Sequence, residues 1–196
     1  MWRFVPLAIF LAYRSAVSWR ASVQRERFGT HGAPRSPERD TRERLGIACW
    51  LVFMLLLLCG SILAACGTLE LAASTAQRVL GAVLGFGGVL GMLSAQLQMG
   101  ASWRTGIDAE IRPGLVTAGW FRYCRNPVWV FLFLVSVGEA LLLPSAWTLA
   151  ALASLAVGIR LRVAAEEDWL LRTYGEEYRR YAGATGRFLP WLGRMR

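Results

Sequence analysis

The chain contains no lysine: all 22 of its basic residues are arginine, set against 13 acids and a single histidine, His31. The arginine bias says nothing about function, but the histidine count does. His31 lies in a Gly/Pro-containing polar stretch with no cysteine or carboxylate at ligand spacing. A histidine-based metal site and a Ser-His-Asp triad are therefore excluded within one chain. Cysteine is also scarce. Cys49, Cys59 and Cys66 lie in or beside one apolar run, Cys124 is remote, and no Cys-x-x-Cys occurs. Neither a disulfide framework nor a metal is expected, and the four read as small buried apolar residues. No glycine-rich nucleotide loop is present either. The run Gly85-Phe86-Gly87-Gly88-Val89-Leu90-Gly91 lacks the required sixth-position glycine and has no strand before it, so helix packing is the better reading.

What is abundant is apolar: 55% of the residues are hydrophobic and nine are tryptophan. Residues 46–66 hold no charge at all and match a bilayer crossing in length. Residues 79–99 form a second span, with Gly81/Gly85 and Gly87/Gly91 at spacings that permit close helix approach. Residues 128–143 and 146–163 form two more runs, broken at Pro144-Ser145 as in a tight helical hairpin. Residues 4–17 are shorter, are interrupted by Arg14, and read as a short first membrane helix and not as a removable signal peptide. Between it and the second span, residues 18–45 read as a solvent loop with short helical pieces, because Gly29, Gly32, Pro34 and Pro37 break any helix. The net charge of +9 does not point to nucleic acid, since the arginines flank apolar spans and do not form one soluble face. Residues 14–44 hold eight of them, 99–127 four and 160–196 eight, which places twenty of the 22 on one side of a five-span membrane protein. Arg3 and Arg78 are the exceptions. The expected fold is all-α and polytopic, with about five membrane helices, a cytoplasmic C-terminal helical segment, and the membrane as a partner.

Polar chemistry concentrates in three places. Gln96 and Gln98 stand near the end of the second long span, where amides mark either a ligand pocket or the interface. Glu139 is the one acid within an apolar run and is expected to reach the far interface from near Pro144. Residues 114–131 set Arg122, Tyr123, Arg125 and Asn126 directly before Pro127, which is suited to the first position of a helix with Asn126 as its N-cap. Two guanidinium groups beside a helix N-terminus suit a carboxylate or a phosphate, and they suit membrane anchoring equally well. Beyond Arg160 the chain turns charged, with Trp169, Leu170, Leu171, Tyr174, Tyr178 and Tyr181 spaced for one helix face. Arg162 and Glu166 share a face, while Glu167 points about 100° away.

The run Gly119-Trp120-Phe121-Arg122-Tyr123-Cys124-Arg125-Asn126-Pro127-Val128-Trp129 resembles the Gly-x-Tyr-x-x-x-Arg-His-Pro-x-Tyr signature of the isoprenylcysteine carboxyl methyltransferase and phospholipid methyltransferase superfamily. A second block follows one hairpin later: Arg162-x-x-x-Glu166-Glu167-x-x-Leu170, Tyr174-Gly175-x-Glu177-Tyr178-x-x-Tyr181 and Arg187-Phe188-x-Pro190. Two blocks in order make the resemblance specific over residues 96–192. Asn126 in place of histidine and Trp129 in place of tyrosine bear on the acceptor more than on the cofactor. The resemblance implies one membrane domain over 1–196, with N-terminal helices and an arginine-rich loop over 1–95 and a catalytic core over 96–192. It implies an integral membrane enzyme using S-adenosylmethionine, in the cytoplasmic membrane of a bacterium or the endoplasmic reticulum of a eukaryote, with the motif facing the cytoplasm. It implies catalytic roles for Arg125, Arg162 and Glu167. Cofactor contacts are implied for Gly119, Tyr123, Arg125, Asn126, Pro127, Glu166, Glu167, Tyr178, Tyr181 and Arg187, to which the amide of Gln98 is added. The acceptor is a lipid or a prenylcysteine-like group bearing a carboxylate, thiol or amine. A nicotinamide-dependent membrane lipid or sterol reductase and a non-catalytic assembly protein are the alternatives. Glu167→Gln is expected to keep the fold and weaken cofactor binding.

Overall fold

The computed structural model describes residues 2–29, 40–69, 72–103 and 114–195. His31, with Pro34 and Pro37, and the loop residues Arg104, Asp108, Glu110, Arg112 and Pro113 lie outside them, as does Glu70. Among the described residues are six α-helices: α1 (Val5–Phe28), α2 (Thr41–Ala65), α3 (Thr75–Gln98), α4 (Pro127–Leu142), α5 (Ala146–Tyr174) and α6 (Glu176–Ala184). Local chemistry sets their ends. Asp40 caps α2 by accepting from the Arg42 N–H at 2.9 Å, and Ser74 with Gln77 and Ser145 with Thr148 form reciprocal capping boxes on α3 and α5. By length and apolarity, α2, α3 and α5 can each cross a membrane, and α4 is a shorter apolar helix. At about 1.5 Å per residue, α5 reaches about 44 Å, well past a ~30 Å hydrocarbon core, so its charged second half leaves the membrane.

Two sequence expectations are corrected. The polar stretch after residue 17 remains helical to Phe28, where Gly29 closes α1 with a left-handed φ of 67°. Residues 18–28 are held in the helix by burial: Arg20 and Gln24 reach across to the carbonyls at the end of α3. The C-terminal aromatics do not share one helix, because Gly175, with φ 52°, ends α5 and starts α6.

The helices pack in two close pairs. Along α3, Gly81 and Gly88 face α4 and Gly85 faces Ile9 of α1, while Gly138 of α4 faces the backbone of Gly81 and Gly85. Gly87, half of one expected spacing, faces open space. The α2–α5 pair closes at Gly46 against Gly158, with Ser154 Oγ donating to the Cys49 carbonyl at 2.8 Å. Between the pairs lies a core of Ile9, Phe10, Phe53, Leu57, Met92, Leu132, Val135 and Leu155. Leu55, Val83, Leu90 and Leu149 point outward, the all-round apolarity of helices surrounded by lipid. Glu139 does not reach an interface: it is fully buried on the α4 face that carries Leu132, Ser136 and Leu142, and neither carboxyl oxygen has a hydrogen-bond partner.

The described parts of the arginine-rich segments meet at one end, in keeping with the charge count. Arg20 donates to the Gln96 and Gly100 carbonyls, Arg42 pairs with Asp168 at 2.8 Å, and Arg125 pairs with Glu167 at 2.9 Å. Arg3 lies near Gly67, just past the end of α2. The cysteines are all free, but only Cys124 is buried; Cys49 and Cys59 are half-buried and Cys66 is exposed. Burial pushes the Cys124 thiol up, which keeps it unreactive at neutral pH.

Candidate active site

Pro127 opens α4 as expected, and Asn126 occupies the N-cap position, yet its side chain does not cap the helix. The Asn126 amide instead donates to Glu167 Oε1 at 3.3 Å and to the Arg187 carbonyl at 3.1 Å. Glu167 draws the motif and the C-terminal segment together. Its Oε1 accepts from Arg125 Nε at 2.9 Å, and its Oε2 accepts from Arg187 Nε at 2.8 Å and Nη2 at 2.5 Å. The Arg125 guanidinium continues the knot through the Ala182, Thr185 and Gly193 carbonyls. Four of its five N–H groups are thereby committed to protein acceptors. The Arg125 backbone N–H adds a bond to the Gly186 carbonyl at 2.9 Å. Residues 182–193 are therefore strapped to the entry of α4. Beside Glu167 the Arg187 guanidinium is held further toward its charged form.

Several of the sequence-predicted residues make contacts within the protein itself. Arg125 and Glu167 form a fold-defining ion pair, and Arg187 completes it. Arg162 stacks over the Trp129 ring, 5.1 Å from its centre, against the α2–α5 contact. Gln98 Oε1 accepts the Trp120 N–H at 2.7 Å and so shapes the 3-10 turn Gly119–Arg122 that leads into the motif. Gly119 has φ 61°, and a Cβ there would overlap the Gln98 amide. Gly119→Ala is accordingly expected to lower stability by about 1–2 kcal/mol or more, measured by thermal unfolding in detergent. Tyr123 is exposed at the rim, packed between Trp120 and Arg122.

Five of the predicted residues, Arg125 among them, also line a cleft. Arg125, Asn126, Glu166, Tyr178 and Tyr181 line it together with Met99, Ser102, Gly114, Leu115, Val116, Phe121, Leu170 and Tyr174. It is small, about 70 Å³ in volume, and open to solvent. The roughly 100° between adjacent helix positions separates the two acids: Glu167 faces the arginines, and Glu166 faces the cleft. Phe121, Tyr174 and the 114–116 segment stood inside or beside the quoted motifs, but no spacing rule marked them as walls. Ser102 carried no signal. Tyr181 donates its hydroxyl to the Phe121 carbonyl at 2.7 Å, tying α6 to the motif turn. Tyr178 Oη is buried and has no hydrogen-bond partner. Burial raises both phenols well above the ordinary tyrosine value, and Glu167 raises them further against a lowering by Arg125. Both are therefore protonated at neutral pH. Among the described residues no group of three or more His, Cys, Asp or Glu side chains is arranged to hold a metal.

A family model described as phospholipid methyltransferase matches residues 76–177, which adds α3 to the region that the sequence motifs cover. Among solved structures, a eukaryotic intramembrane Ras methyltransferase, isoprenylcysteine carboxyl methyltransferase, is similar at a TM-score of 0.60. That likeness covers 98% of this chain and 70% of that one at 18% identity, and it is a likeness of fold. No curated protein matches the sequence.

Proposed function

The chain belongs to the phospholipid methyltransferase family and is a membrane methyltransferase, and from that premise we propose that it transfers a methyl group from S-adenosylmethionine to a lipid or lipid-like acceptor, at the cytoplasmic face, in the cleft beside Glu166. The observation that carries this reading is the cleft itself. It lies at the arginine-rich end of the helices, next to the entry of α4, and combines one carboxylate with three tyrosines and a phenylalanine. The donor set fits the cofactor. Glu166 is suited to its ammonium or ribose hydroxyls, the aromatic faces to a positively charged sulfur, and the unpartnered Tyr178 hydroxyl to one further acceptor atom.

S-adenosylmethionine, when bound, supplies a methyl group on a positively charged sulfur. The chain's own part is positioning and exclusion of water, the main requirements of a displacement at carbon. Leu115, Val116, Phe121 and Leu170 provide apolar walls. Tyr178 and Tyr181, held protonated, donate hydrogen bonds and do not remove protons. A carboxylate or thiolate acceptor needs no strong base, which agrees with a chain whose one histidine is remote in sequence from the motif. Trp129, Phe131 and Phe133 beside the entry of α4 suit an apolar tail arriving sideways from the bilayer.

Calorimetric titration of the detergent-solubilised protein with S-adenosylhomocysteine tests the site. Wild type is expected to bind, and Glu166→Gln to bind about tenfold to hundredfold more weakly, the equivalent of roughly 1.5–3 kcal/mol. Glu176→Gln, which removes only an exposed pair with Arg179 on α6, is expected to bind like wild type. Reduced nicotinamide dinucleotides are expected to give no heat. Absence of binding at millimolar concentration would remove the cofactor assignment, and equal affinity in all three proteins would remove Glu166 from it.

A further inference from the structure

The turn Leu189-Pro190-Trp191-Leu192 presents three large apolar side chains outward, with Leu189 55%, Trp191 76% and Leu192 66% exposed. Its backbone is fixed. The Leu192 N–H donates to the Leu189 carbonyl at 3.2 Å, and the Arg187 N–H donates to the Leu192 carbonyl at 2.8 Å. Trp191 adopts φ 64° and is the one non-glycine residue with positive φ among those described. A bulky side chain is disfavoured there, and glycine or asparagine is the ordinary occupant of such a turn. The strain holds the largest apolar side chain of the segment away from the protein.

The position of the turn says what it meets. Residues 186 and 187 are bonded to Arg125 and Asn126, and Gly193 is bonded to Arg125 Nη2 at 3.1 Å. These contacts immediately precede Pro127, where the apolar helix α4 begins. Phe188 packs against the membrane core of the helices. The turn therefore stands within a few residues, roughly 10 Å, of the point where the chain enters the bilayer. Headgroup layers add about 5–8 Å on each side of the hydrocarbon core, and tryptophan prefers that zone. Exposed Arg194 follows the turn and suits lipid phosphates. Three side chains on a convex turn are too few for the ~800 Å² per partner of a stable protein interface.

We propose that residues 189–192 are an interfacial membrane anchor, with Trp191 seated at the headgroup boundary of the same bilayer that the helices span. The anchor holds the C-terminal strap, and through the Met195 N–H bond to the Ala182 carbonyl it steadies α6, which carries Tyr178 and Tyr181 into the cleft. The inference does not depend on the cofactor.

The test is tryptophan emission from the full chain in phospholipid vesicles. The difference between wild type and Trp191→Phe isolates the Trp191 signal. Trp191→Gly relieves the positive φ and provides a second, independent subtraction. The expected result is a blue-shifted difference spectrum that loses intensity with lipids brominated near the headgroup and is insensitive to aqueous iodide. Quenching by iodide and not by brominated lipid would overturn the proposal, because the turn would then face water. Insensitivity to both would overturn it as well, because protein would then cover the turn. Neither result would touch the methyltransferase reading, which the calorimetric titration addresses separately.

Discussion

Glu167→Ala is expected to cost the fold roughly 3–5 kcal/mol, the range for removing one partner of a buried ion pair. Both side chains of the Arg125–Glu167 pair are 2% exposed. Deleting the carboxylate leaves the guanidinium buried against carbonyls with no counter-charge. It also releases Arg187 and the Asn126 amide, which share the same two oxygens. The pair with Arg187, whose side chain is 40% exposed, contributes less because water screens it. Glu167→Gln keeps an oxygen for Arg125 and is expected to lose less stability than the alanine variant. Both should weaken cofactor binding only in so far as residues 182–193 come away from the entry of α4. Glu166→Gln is expected to show the opposite balance, losing less stability than Glu167→Ala while weakening binding more. Denaturant unfolding of the three variants in one detergent measures the difference. A Glu167→Ala protein as stable as wild type would show that the strap is not held as described.

The second large effect is expected at the α3–α4 contact. A Cβ on Gly138 would come to 2.6 Å from both the Gly81 carbonyl oxygen and the Gly85 amide nitrogen, which are backbone atoms and cannot rotate away. Gly138→Ala must therefore part the two helices, at the upper end of the roughly 1–3 kcal/mol range for overpacking or above it, and Gly138→Leu should prevent folding. Gly87→Ala is the matched control. Nothing lies within 4 Å of its Cβ position, so the higher helix propensity of alanine should leave stability unchanged or raise it by up to about 1 kcal/mol. Thermal unfolding that ranked the two substitutions equally would contradict this packing.

Much of the architecture was legible because membrane spans obey a simple length and composition rule. The uncharged run 46–66, the Pro144-Ser145 break and Pro127 all mark element boundaries to within a few residues. The arginine count correctly grouped the segments that meet at one end, since it reads topology and not contacts. Composition misled at residues 18–28. Arg20 and Gln24 look like loop residues, and their helix is maintained by hydrogen bonds to carbonyls 76 to 80 positions away, which local propensity cannot report. At the candidate site, residue types and order picked out residues that the structure brings together around one cleft, and helix geometry separated Glu166 from Glu167. The direction of the separation was not legible. An acid that matches a motif can bind a ligand or hold the fold, and the choice depends on which of two faces meets Arg125. Asn126 illustrates the same limit: its position as an N-cap was readable, but the partner of its side chain was set by a residue 41 positions later.

Methyl transfer to a membrane acceptor in this cleft is measured by supplying methyl-labelled S-adenosylmethionine to the protein reconstituted with bacterial and eukaryotic lipid extracts. Label is expected in the organic phase, dependent on protein, sharply reduced by Glu166→Gln and unaffected by Glu176→Gln. Folded wild-type protein that binds S-adenosylhomocysteine yet leaves every lipid extract unlabelled would contradict a lipid acceptor, and equal labelling by wild type and Glu166→Gln would contradict the site.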